Sequence, residues 1–86
     1  MIERNGDWLA AKVGSELVMM SATKGNYIGL SAVGARIWEL IETPRSVDQL
    51  CDALITEYDV EPATCRTEVD TFLATLAEHD AIRTSA

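Results

Sequence analysis

GNYIGLSAVGARIWEL, residues Gly25 to Leu40, changes its hydrophobic period in the middle. Asn26 to Leu30 is short, aromatic and aliphatic, and reads as a strand. Val33, Ile37, Leu40 and Ile41 then recur at intervals of four, three and one, which places them on one stripe of a helix. The switch falls at Leu30-Ser31, a strand end followed by a residue suited to cap a helix. Side chains alternate along a strand, so Tyr27 and Gly29 share one face while Asn26, Ile28 and Leu30 share the other. Gly29 leaves backbone unshielded on its face.

Upstream of this junction, Trp8 to Val13 and Glu16 to Met20 are short apolar-rich runs separated by Gly14-Ser15, a two-residue hairpin turn. Ala22-Thr23-Lys24-Gly25 forms the next turn, so the three runs predict an antiparallel meander. The Met19-Met20 pair fills the two faces of the middle strand. Downstream, the helix opened by Ser31 runs to about Glu42 and is broken at Thr43-Pro44-Arg45, because a proline disfavours helix in the residue before it. Ser46-Val47-Asp48-Gln49 fits a capping box, and Val47, Leu50, Leu54 and Tyr58 give the second helix its buried face. Glu61-Pro62 suits the first turn of a third helix, whose inward stripe is Cys65, Val69, Phe72, Leu73 and Leu76, ending near His79-Asp80. Ala81-Ile82-Arg83 adds a final extended segment. The expected fold is therefore α+β, a winged helix-turn-helix with a three-stranded antiparallel sheet followed by three helices, in one domain spanning 1–86.

Composition narrows the function. The 86 residues are 48% apolar and 24% charged, as in a folded globular domain. MIERNGDW, at the N-terminus, has no apolar core of a signal peptide, and no run approaches membrane-spanning length, so the expected location is cytoplasmic, without a membrane partner. Winged folds often lay a helix in the DNA major groove. Here the net charge is −7, with seven basic residues scattered from Arg4 to Arg83. The outward positions of the third helix include Glu61, Glu68, Asp70 and Glu78, which phosphates would repel. Nucleic acid is therefore not an expected partner.

Catalysis is not indicated either. Cys51 and Cys65 fall inside helical patterns with no CxxC or Cys/His spacing and read as buried thiols. His79, the single histidine, stands at a helix C-terminus, where the macrodipole favours a cation. Asp48, Asp52, Glu57 and Glu61 read as a solvated acidic face rather than a metal cluster. No nucleophile elbow or phosphate loop is present, and neither an enzyme nor a cofactor is expected. Ile37 and Trp38 read as core, and Gly34, costly inside a helix, reads as a point of close packing against a strand.

Gly25, Tyr27, Leu30-Ser31, Gly34, Ile37-Trp38-Glu39-Leu40, Ser46-Val47, Val69, Phe72-Leu73 and Leu76 together form a pattern that resembles the PqqD-like family, also called RiPP recognition elements. These domains act in the biosynthesis of ribosomally made, modified peptides. The resemblance implies a winged helix-turn-helix whose exposed third strand accepts the leader region of a precursor peptide as an added strand, beside the third helix. An open strand edge offers unpaired N–H and C=O groups, which suits that role. The residues expected to bind peptide are Asn26, Tyr27, Ile28, Gly29 and Leu30 on the strand with Val69, Phe72 and Leu76 on the helix. Tyr27 and Phe72 read equally well as core. An acidic domain suits a leader carrying Lys or Arg.

Within the family, PqqD itself carries a proline-glutamate-rich turn ahead of the third strand, where this chain has Ser21-Ala22-Thr23-Lys24-Gly25. The departure points away from the pyrroloquinoline quinone pathway and toward the stand-alone recognition proteins of lasso-peptide clusters. Those proteins deliver the leader to a cysteine protease. The expected partners are a precursor leader peptide and a leader protease or other modifying enzyme, with edge-strand homodimerisation as a side reaction. The alternatives are a PqqD-type chaperone in quinone biosynthesis and a winged-helix DNA-binding regulator.

Overall fold

The computed structural model describes residues 1–6, 8–14 and 16–84. Its elements are β1 (Ile2–Arg4), β2 (Trp8–Val13), β3 (Glu16–Ser21), β4 (Tyr27–Leu30), α1 (Ala32–Leu40), α2 (Val47–Tyr58), α3 (Pro62–Glu78) and β5 (Ile82–Thr84). Strands β2, β3 and β4 form the expected antiparallel meander, in that order, and the three helices follow. Val13 pairs with Glu16 at the β2–β3 turn, where Gly14 has φ +66°; Ser15, the other turn residue, lies outside the described residues. The β3–β4 turn is closed by Ser21, whose N–H donates to the Asn26 carbonyl at 2.8 Å. Gly25 supplies the positive φ of +72° that the turn needs and donates its own N–H back to the Ser21 carbonyl.

Each helix start follows from its sequence. The Ser31 hydroxyl accepts the Gly34 N–H at 3.2 Å, satisfying one of the orphan donors of α1. Ser46 and Gln49 exchange both bonds of a capping box, at 2.9 and 3.1 Å. Pro62 occupies the first turn of α3. Helix α1 ends at Leu40, before the expected Glu42, with Ile41 as its C-cap.

A second, two-stranded sheet departs from the expected meander. β1 pairs antiparallel with β5, in register Ile2 with Thr84, Glu3 with Arg83 and Arg4 with Ile82. β1 is also tied to the α1–α2 connection, since Arg45 donates its N–H to the Ile2 carbonyl at 3.0 Å. The Arg4 guanidinium lies 4.5 Å from the centre of the Trp38 ring, and its Nε donates to the Trp38 carbonyl at 3.0 Å. These contacts fasten both chain ends to the C-terminal end of α1.

The core forms where α1, α2 and α3 meet the inner face of the sheet. Met19, Ile37, Ile41, Leu50, Leu54, Val69 and Leu76 are its largest fully buried side chains. Met19 is buried and Met20 exposed, so the pair does divide between the two faces of β3. Trp38 is buried, as expected. Cys51 and Cys65 are free, buried thiols, with the Cys65 Sγ 4.0 Å from the Cys51 carbonyl oxygen. Burial, followed by the neighbouring Cys65, pushes the Cys51 thiol above its ordinary pKa.

Candidate functional site

β4 stands at the edge of its sheet, and among the described residues no strand lies beyond it. Its register with β3 is Leu30 to Leu17, Gly29 to Val18, Ile28 to Met19 and Tyr27 to Met20. Opposed residues in an antiparallel pair alternate between hydrogen-bonded and non-hydrogen-bonded. The Ser21–Asn26 bond fixes the phase, so Ile28 and Leu30 bond to β3 while Tyr27 and Gly29 turn their N–H and C=O outward. The open edge thus presents two donors and two acceptors on alternate residues.

Side chains of β4 follow the alternation expected from sequence. Leu30 is buried and Ile28 half-buried against the core, whereas Tyr27 is 74% exposed and Gly29 is exposed. A Cβ at Gly29 would meet nothing within 4 Å, so the outer face is bare there. Leu9, Met20 and Tyr27 line up across the three strands as an exposed apolar row that ends at this edge. Asn26 lies in the turn just before β4 and is exposed.

Where β4 ends, a groove opens between α1 and α3, lined by Ser31, Val33, Gly34, Ile37, Glu68 and Phe72, with a volume of about 330 Å³. Phe72 is half-buried and forms one wall. Gly34 forms the floor: a Cβ at that position would come within 3.0 Å of Phe72 Cε1 and 3.2 Å of Cζ. The close approach expected at Gly34 is therefore to the ring of Phe72 on α3 rather than to a strand. Val33 and Glu68 also line a small apolar recess shared with Leu54, Cys65 and Val69.

Two residues expected to contact peptide lie elsewhere. Val69 and Leu76 are wholly buried in the core, at 0% exposure, and present no surface beside β4. They sit on the inward stripe of α3, and helical spacing alone does not separate a core position from a groove position. Phe72 does, because it stands at the margin of that stripe. Glu68 was not among the expected residues. It lines the groove because its four-residue spacing to Phe72 sets both side chains on the same flank of α3.

Several charged side chains around the fold are tied to one another. Arg36 binds Glu57 through two bonds, of 2.8 and 3.0 Å. The hydrogen bond from Arg36 holds the Glu57 carboxyl below the usual carboxylate range. Lys24, in the β3–β4 turn, reaches Asp80 at 2.6 Å and lowers its pKa in the same way, linking that turn to the end of α3. Asp48 pairs with Arg66 at 3.0 Å. Asp48 and Glu57 thus face arginines, and among the described residues no three His, Cys, Asp or Glu side chains converge on a metal-sized site. His79 caps α3 and packs edge-on to Trp8, with ring centres 6.3 Å apart. Among the described residues, no helix is long and apolar enough to cross a membrane.

The pattern of residues 16–82 matches the family described as Coenzyme PQQ synthesis protein D (PqqD). The chain belongs to the PqqD family. TbiB1, solved in complex with the TbiA(beta) leader peptide, is similar to this PqqD-family chain at 31% identity over 98% of both chains, with a TM-score of 0.85. A lasso peptide synthetase B1, solved with its leader peptide, shares the fold at 18% identity over 96% of this chain and 98% of its own, with a TM-score of 0.83. No curated protein sequence matches the chain.

Proposed function

We propose that this protein is a RiPP recognition element, which takes the leader region of a ribosomal precursor peptide as an added strand on β4 and presents it to a leader protease or other modifying enzyme. The observation that carries the reading is the open β4 edge, with the N–H and C=O of Tyr27 and Gly29 turned outward beside the α1/α3 groove. Backbone pairing is the common means by which an exposed edge captures an extended peptide. The likeness to TbiB1, whose structure holds a leader peptide, supports the same ligand class here. The Ser21 to Gly25 turn, which lacks the proline-glutamate-rich pattern, favours the lasso-peptide branch over quinone biosynthesis.

In this reading the chain acts as one domain, in the cytoplasm where a ribosomal precursor is made, and binds without turning its ligand over. Asn26 to Leu30 lies along the added strand, Phe72 contacts leader side chains, and Val69 and Leu76 support the groove from beneath. With no leader present, two copies pair weakly through the same edge, and leader peptide dissolves such dimers.

Amide hydrogen exchange tests the arrangement directly. Adding the leader of the precursor encoded beside this gene should slow exchange at the Tyr27 and Gly29 amides, which start exposed. It should leave Ile28, already paired to β3, almost unchanged. Saturable binding with no new protection at Tyr27 and Gly29 would place the peptide elsewhere.

A further inference from the structure

We infer that Glu68 selects a basic side chain in the bound peptide, an inference that rests on the strand-addition reading above. Glu68 is exposed at the junction of the α1/α3 groove and the apolar recess, with Val33 common to both and Phe72 one helical turn away. Among the described residues it is the single charged one lining either hollow.

Among the described residues, no basic side chain forms an ion pair with it. Arg4 lies on Trp38, Arg36 on Glu57, Arg45 on the Leu40 carbonyl, Arg66 on Asp48 and Asp70, Lys24 on Asp80 and Arg83 on Glu3. Lys12, the remaining basic residue, lies on β2, away from α3. A peptide seated in the groove strips water from this carboxylate. That desolvation is costly unless the peptide supplies a partner. Lysine or arginine fits best, since its aliphatic stem can lie on Val33 and the ring of Phe72 while the charged head reaches Glu68. The Phe72 face adds attraction for the same cation, and the net charge of −7 draws it in. The ligand class is thus an extended peptide that places Lys or Arg next to its apolar anchor.

Selection of a randomised, displayed peptide library on the full chain and on Glu68→Gln and Glu68→Lys variants tests this. The wild type should enrich Lys or Arg at one position fixed relative to an apolar anchor. Glu68→Gln should keep the anchor and lose the basic preference, and Glu68→Lys should replace it with Asp or Glu. For one selected peptide, Lys→Ala should weaken binding at low salt about fivefold more in wild type than in Glu68→Gln, where only the stem and ring contacts are lost. All three proteins should melt alike, because Glu68 is exposed. Anchored peptides without a basic preference, or a preference undiminished in Glu68→Gln, would overturn the inference while leaving strand addition intact. Failure of every selected peptide and of the precursor leader to bind would overturn both.

Discussion

Proline at position 29 and proline at position 28 should have opposite consequences. The Gly29 N–H points away from β3, and a side chain there meets open space. Proline is tolerated on an edge strand where the missing N–H faced solvent, and it stiffens the unfolded chain, so Gly29→Pro should melt within a few degrees of wild type. For the leader, the same change removes one backbone bond, net about 1 kcal/mol, and strands a covered carbonyl at a further 1–3 kcal/mol. The sum of about 2–4 kcal/mol predicts affinity roughly 30- to 1,000-fold weaker. Ile28→Pro instead removes the N–H that bonds to β3 opposite Met19, itself fully buried. Leaving the Met19 carbonyl unpaired costs about 1–3 kcal/mol, a fall in melting temperature of about 10 °C in a domain of this size. Fluorescence anisotropy with labelled leader peptide, beside thermal melts of the three proteins, separates the two effects. A folded Gly29→Pro variant that binds like wild type would refute pairing on β4. An unfolded Gly29→Pro beside a stable Ile28→Pro would refute the phase of the ladder.

Other perturbations report on the groove and on the ion pairs. Gly34→Ala gains about 0.5–1 kcal/mol of helix propensity but pushes its Cβ to 3.0 Å from Phe72, so the ring must tilt into the groove. Leader affinity should fall while the melting temperature changes little, as calorimetry and melts would record. Phe72→Ala removes half-buried apolar surface, and should lower stability by about 1–2 kcal/mol in urea titrations and weaken leader binding about tenfold or more. Glu57 and Asp80 have folded pKa values below their ordinary 4.5 and 3.8, so the stability they add is present above those values. It is lost as pH falls through the lowered folded values. Melting temperature should therefore drop on the acid side of about pH 4, and Glu57→Gln with Asp80→Asn should flatten that limb. Cys51, with its raised pKa, should react with a thiol reagent at pH 8 far more slowly in the native state than in urea, followed by absorbance.

Local signals made most of the fold legible. Ser31, the Ser46–Gln49 box and Pro62 each act within one helical turn, and each start lies where its sequence puts it. The β1–β5 sheet was half hidden because Ile2–Arg4 has one apolar residue followed by two charged ones, too short to show a period, and its partner lies at the other end of the chain. At the site, the alternation of β4 was readable from a period of two. The phase of its hydrogen bonds depends on the Ser21–Asn26 closure, a property of the turn. On α3 the stripe identified an inward face without saying which of its members meet solvent. Val69 and Leu76 are covered by packing from other elements, and Phe72 escapes that cover because Gly34 leaves room for its ring at the surface.

In the proposed complex, edge and groove would contribute differently to affinity, and their sizes say how. Tyr27 and Gly29 offer four outward backbone groups in all. At about 0.5–1.5 kcal/mol net for each hydrogen bond, pairing supplies roughly 2–6 kcal/mol. Micromolar binding needs about 8 kcal/mol after the cost of ordering an extended peptide has been met. A strand as short as β4 therefore cannot hold a leader by its backbone alone. The deficit has to come from apolar side chains seated against Phe72 and Val33, where about 25 cal/mol is gained for each Å² removed from water. On these magnitudes the proposed complex would have the β4 edge fix the register and direction of the leader and the α1/α3 groove supply most of the affinity. Leader residues facing the groove should accordingly tolerate fewer substitutions than those facing the bare side of Gly29. An alanine scan of the leader that found equal losses on both sides of the added strand would contradict this division.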